Sequence, residues 1–203
     1  MVRSRSIDLP SSAQQQLLAI ARAAICAPLK PSRREPLADT HSADWNRPAA
    51  CFVTLHEIDN QRLRGCIGTL EADKPLAQAV AYYAEQAAFH DPRFSPLRAD
   101  ELAKVEIEIS VLSGLTPLPV KSEAELLSRL KPNIDGLWLQ AGAARATYLP
   151  QVWQQLSEPS QFVSSLKQKA GLDANSWSDS FAWSTYSVQH FSEAQLLERT
   201  DRD

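Results

Sequence analysis

Residues 105–112 read VEIEISVL, and they alternate without exception: Val105, Ile107, Ile109 and Val111 fall on one side of an extended chain, Glu106, Glu108 and Ser110 on the other. Period two is the mark of a strand with one buried face, because successive side chains leave opposite sides of the pleat. The same kind of pattern surrounds it. Residues 50–57 (ACFVTLHE) and 62–70 (RLRGCIGTL) flank the turn-rich IDNQ and read as an antiparallel hairpin, with 50–57 expected to be buried on both sides. GLWLQAG (136–142) and ARATYLP (144–150) form a second hairpin, and FAWSTYSVQHF (181–191) reads as one late strand.

Helical spacing appears between these strands. Residues 11–27 place Leu17, Leu18, Ala21, Ala24 and Ile25 on one stripe, ended by Pro28. Pro75 suits the start of a helix whose inward stripe is Leu76, Val80, Tyr83 and Ala87, and which stops at HDPRFSPL (90–97). Residues 122–130 carry a Ser122 cap with Glu125 at the reciprocal position, and PSQFVSSLKQKAG (159–171) ends at Gly171. From Pro28 to Pro48 there is no period, which reads as a long surface connection. Hairpins outnumber strand-helix-strand units, so the fold class is α+β with a largely antiparallel sheet flanked by helices. The length fits one domain, between an N-terminal tail (1–12) and an acidic C-terminal tail (193–203) that frays.

Composition narrows the function classes. The chain has 203 residues, 44% hydrophobic and 22% charged, with net charge −3, so it lacks the basic footprint of a nucleic-acid binder. MVRSRSIDLPSSAQQQ has no apolar core of a secretory leader, and no apolar run reaches bilayer length, so the expected location is the cytoplasm. Cys26, Cys51 and Cys66 are odd in number and widely spaced, which fits reduced thiols. His41, His56, His90 and His190 are far apart, and no CxxC is present, so no local motif calls for a metal or any other cofactor.

Three stretches in order, LRGCIGTL (63–70), AAFHDPRFSPL (87–97) and VEIEISVLS (105–113), followed by DGLWLQ, YLPQVW and KAGL, resemble the AMMECR-one domain family. Its bacterial and archaeal members are called AmmeMemoRadiSam system protein A. The resemblance spans about residues 13–192. It implies two lobes, one with a larger antiparallel sheet, and a cleft between them as the working site. It also implies two partners, a Memo-type protein and a radical SAM protein; this chain lacks the latter's cysteine triad. Carried over by motif, the positions of interest are Arg64 to Gly68, then Asp91, Arg93 and Phe94, then Glu106, Glu108 and Ser110. Lys167 and Gln168 stand where relatives often carry a cysteine, which weakens any mechanism needing a second thiol there.

Each candidate has two readings. Cys66, between Gly65 and Gly68, is either a nucleophile whose bare backbone admits a substrate or a small thiol on a strand whose glycines let a neighbour pack close. Arg64 and Arg93 would hold an anionic group, with Gly65, Gly68 and Asp91 completing the binding surface. His90 is a general base or a solvated helix-end residue. Asp91 and Arg93 bind a ligand or pair with each other. Glu106 and Glu108, about 7 Å apart on one strand face, move a proton or are merely solvated, and if they line a cleft their pKa values should rise together. The leading expectation is an enzyme or enzyme subunit acting on a small molecule or protein side chain through Cys66, with His90, Glu106 or Glu108 as proton carrier. The rivals are a non-catalytic adaptor for the same partners and a ligand carrier.

Overall fold

The computed structural model describes residues 8–29 and 47–200, the last four as backbone. Residues 30–46 of the long connection, the first seven residues and the last three lie outside the described residues. The chain divides into two compact units, one made of residues 8–112 with the segment from 189 onward, the other of residues 113–188.

The first unit contains helix α1 (Ser11–Leu29), strands β1 (Cys51–Glu57) and β2 (Leu63–Gly68), helix α2 (Leu76–Phe89) and strand β3 (Val105–Leu112). After the second unit's elements it also receives β8 (Val188–Ser192) and α5 (Glu193–Thr200), and its sheet has the order β2-β1-β3-β8. β1 pairs antiparallel with both neighbours. The alternation of β3 is realised: Val105, Ile107, Ile109 and Val111 are buried beside Cys51, Val53 and Leu55 of β1, while Glu106 and Glu108 are half-buried. Helix α2 lies on β1 and β2, and α1 lies on α2 and β3, so both cover that apolar face. Each fully buried aliphatic side chain there contributes about 1.5–3 kcal/mol. The opposite face of β1 is half-buried rather than buried, contrary to the two-sided burial expected of 50–57. On α2, Ala84 takes the inward place given to Tyr83, which is half-buried.

The second unit holds β4 (Thr116–Pro117), α3 (Glu123–Arg129), the hairpin β5 (Gly136–Ala141) and β6 (Ala144–Tyr148), α4 (Pro159–Lys169) and β7 (Ala182–Tyr186). Its antiparallel sheet has the order β4-β7-β5-β6. Its core is Leu126, Leu137, Leu139, Phe162, Val163, Leu166 and Trp183 around Trp153, whose ring stacks on Phe162 at 3.7 Å and whose indole N–H donates to Asp135 O at 2.8 Å. Ser122 Oγ caps α3 by accepting from Glu125 N–H, and Glu125 reaches back one residue further than a capping box, to Lys121 N–H.

Two expectations need correction. FAWSTYSVQHF is two strands, because the chain breaks at Ser187 and β7 and β8 belong to different sheets; apolar alternation runs through both halves, so the pattern hides the change of partner. The segment from 193 onward is helical at its start instead of frayed: the Glu193 carboxylate accepts from Arg22 and, at 2.9 Å, from Ile107 N–H. At the other end Leu9 is buried, its N–H donating to Gln189 Oε1.

Candidate functional site

The half-buried face of the first sheet carries the polar residues that the alternation placed there. Register aligns them in rows: Thr54 lies opposite Cys66 on β2 and opposite Glu108 on β3, so Cys66, Thr54 and Glu108 form one line across three strands. The Thr54 hydroxyl donates to Cys66 Sγ at 3.3 Å. The next row brings His56 opposite Glu106 and Leu63. Thr54 and His56 were not singled out in the sequence, although both fall on the face opposite Val53 and Leu55.

The peptide group of Cys66 is held at both ends by the HDPRF loop. Asp91 Oδ2 accepts from Cys66 N–H at 2.8 Å, and Arg93 Nη2 donates to Cys66 O at 3.1 Å. Asp91 also accepts from Arg93 N–H, Nε and Nη2, so the two side chains are paired with each other and with the strand at once. The Arg93 guanidinium holds the Asp91 carboxyl well below the usual carboxylate range against the opposing effect of burial, with the Cys66 and Arg93 N–H groups adding to the downward shift.

The glycines have a packing explanation. A Cβ on Gly65 would lie 2.2 Å from the carbonyl oxygen of Ala87, so α2 crosses β2 at a spacing that admits only hydrogen. A Cβ on Gly68 would lie 2.3 Å from Cys51 O and 2.5 Å from the Phe52 ring. The space that a substrate would need beside these glycines is taken by the protein's own backbone and ring.

Arg64 does not stand beside Cys66. Leu55 pairs with Gly65 but His56 pairs with Leu63, so Arg64 is the extra residue of a β-bulge and leaves the Thr54–Cys66 row. Its side chain is buried and forks onto Glu101, Nε to Oε1 at 3.1 Å and Nη2 to Oε2 at 3.3 Å. Nothing in the sequence marked Glu101 as its partner. His90 caps α2 by donating its N–H to Gln86 O, and its side chain is exposed. Burial pushes the Glu106 carboxyl up, but hydrogen bonds from Ser192, Ala194 N–H and Gln61 outweigh it and leave the net shift downward. The rise expected of Glu106 on a cleft-lining face is therefore not what its surroundings produce. Glu106 serves the start of α5, and Glu108 stands in the row of the thiol, one strand beyond Thr54.

This geometry sits on a chain with clear relatives. The AMMECR1 family profile matches residues 18–191, nearly the whole length of the chain. The chain belongs to the AMMECR1 family. Among its relatives in this family are a protein of Methanothermobacter thermautotrophicus, 38% identical over 80% of this chain and 84% of that one, and a protein of Thermofilum pendens, 37% identical over 79% and 80%. The fold is similar to the crystal structure of Uncharacterized Protein PH0010 from Pyrococcus horikoshii, with a TM-score of 0.75, 29% identity, and 87% of this chain and 89% of that one covered. Both LRGCIGTL and HDPRF, the segments that clamp each other around Cys66, lie inside the matched region. No helix among the described residues is long and apolar enough to cross a membrane.

Proposed function

We propose that this AMMECR1-family chain is an AmmeMemoRadiSam system protein A-type component that works through the Cys66 thiol, as an enzyme or enzyme subunit acting on a small molecule or a protein side chain. The observation that carries this reading is the fixed presentation of Cys66: its peptide is bonded at both ends by Asp91 and Arg93, and its sulfur receives the Thr54 hydroxyl. A hydrogen-bond donor at sulfur favours the thiolate, which is the nucleophilic and redox-active form. Glu108 stands beyond Thr54 in the same row, so in this reading the thiol proton reaches it by way of the Thr54 hydroxyl. Memo-type and radical SAM proteins are the partners in this reading, and the cytoplasm is its setting, where thiols stay reduced.

The test is iodoacetamide alkylation of the folded protein against pH, with mass spectrometry separating the three cysteines. Fast labelling of Cys66 with an apparent pKa below about 8.5, shifted upward in Thr54→Val, supports the reading. Labelling of Cys66 only after unfolding sinks it.

A second reading, the non-catalytic adaptor, is favoured by Ile58 and Leu63 at the two ends of the β1–β2 turn, which are 50% and 38% exposed. Under it, Ile58→Glu abolishes association with the Memo-type partner while Cys66→Ser leaves it intact.

A further inference from the structure

The bulge that removes Arg64 from the thiol face delivers it to a different place, a cavity of about 500 Å³ within the first unit. The cavity is lined by Arg62, Arg64, Arg93, Phe94, Arg98 and Glu101, among others, and its size is that of a small-molecule site. Four guanidinium groups arrive from three chain segments: the start of β2, the HDPRF loop and the turn before β3. Two of them rest on one aromatic ring. Phe94 lies under both Arg64 and Arg93, with their Cζ atoms 5.9 Å and 5.5 Å from the ring centroid.

The carboxylates nearby do not use up these donors. Asp91 takes Arg93, Asp100 takes Arg98, and Glu101 takes two nitrogens of Arg64. Glu57, also in the lining, accepts from the Asn60 amide. Arg64 is 8% exposed, and its Nη1 has no hydrogen-bond partner, which is costly for a charged donor out of water. Arg62 has no ion-pair partner among the described residues. Counting Asp91 and Asp100, cations and carboxylates around the cavity are equal in number, so it selects a ligand by the directions of its unspent N–H groups rather than by excess charge.

A phosphoryl group presents three terminal oxygens and up to two negative charges where a carboxylate presents two oxygens and one charge, so it engages more of these separate guanidinium donors at once. We infer that this cavity binds the phosphoryl group of a small molecule, held by Arg62, with Arg64, Phe94 and Arg93 as its wall. The inference does not depend on a reactive Cys66.

The experiment is isothermal titration of the whole chain with inorganic phosphate, glycerol phosphate and succinate. Saturable binding of either phosphate compound, weakened about tenfold in Arg62→Gln and unchanged in Cys66→Ser, is expected; tenfold corresponds to about 1.4 kcal/mol. Glycerol phosphate binding tighter than inorganic phosphate identifies a metabolite as the source, and equal affinities identify free phosphate. No saturable phosphate binding, equal binding of succinate, or an unaffected Arg62→Gln overturns the inference. Arg62 is exposed, so its substitution leaves the fold intact, and Arg64→Lys, which keeps the charge but loses the fork, gives a second reading of the same site. Failure of the alkylation test alongside normal phosphate binding would separate this site from the thiol reading.

Discussion

Asp91→Asn tests whether the HDPRF loop holds β2 as described. The Asp91 side chain is 1% exposed, and its two oxygens accept four hydrogen bonds, from Cys66 N–H and from the backbone, Nε and Nη2 of Arg93. Asparagine keeps one acceptor and turns the other into an NH2 group facing donors. Removing one partner of a buried ion pair costs about 3–5 kcal/mol. The Arg93 side chain is 53% exposed, so water takes up part of its released charge and the cost falls below that range, to about 1–3 kcal/mol. An unpaired Cys66 N–H adds about 1 kcal/mol, for an expected loss of about 2–4 kcal/mol.

Urea unfolding followed by far-UV circular dichroism reads this as a midpoint lowered by about 1–2 M at unchanged slope. The pH dependence supplies an internal check. The carboxyl is depressed in the folded state, so its stabilisation is fully present above its ordinary value of 3.8 and is lost as pH falls toward the folded pKa. The gap between wild type and Asp91→Asn must therefore narrow between pH 5 and the acid limit of folding. A loss under about 1 kcal/mol, or a gap that ignores acid, refutes the account of the clamp.

Further outcomes follow from other sites. Gly65→Ala pushes a methyl against Ala87 O and is expected to cost about 2–3 kcal/mol by the same assay, with a neutral result showing that α2 does not cross β2 as closely as described. Lys167 is fully buried on Glu123 at 2.6 Å, so Lys167→Met is expected to be neutral to within about 1 kcal/mol because Glu123 regains water, whereas a loss above about 3 kcal/mol would show that the ion pair itself holds α3 to α4. Burial pushes the Cys51 thiol up to about 12, so at pH 8 iodoacetamide should leave Cys51 intact in the folded protein and modify it in urea; labelling of native Cys51 would contradict its place in the core.

What the sequence could reveal was set by periodicity. VEIEISVL and the helix after Pro75 carry long, consistent patterns, and their elements match within a residue or two. The β1–β2 hairpin was equally legible, but the bulge inside it was not: strict alternation puts Arg64 on the same face as Cys66, and one extra residue in the ladder reverses that without leaving a mark in residue types. Glu101 and Arg64 are 37 positions apart with no common pattern, so their pairing is a product of tertiary packing. The glycines raised the right question, since a close approach was inferred, but residue types alone could not say whether the visitor was a ligand or the carbonyl of Ala87.

The break at Ser187 has a genetic consequence. The second unit leaves the chain at Ser113 and returns it at Ser187, and these two residues are tied by a hydrogen bond in each direction, Ser113 N–H to Ser187 O and Ser187 N–H to Ser113 Oγ, both at 2.9 Å. Residues 113–188 are therefore an insert whose two ends meet, placed in the sequence between β3 and its sheet neighbour β8. A gene in which a tight turn replaced that insert would still encode every strand of the first sheet in the same order. Duplication, exchange or loss of the insert is open to this lineage without redrawing the sheet that carries Cys66.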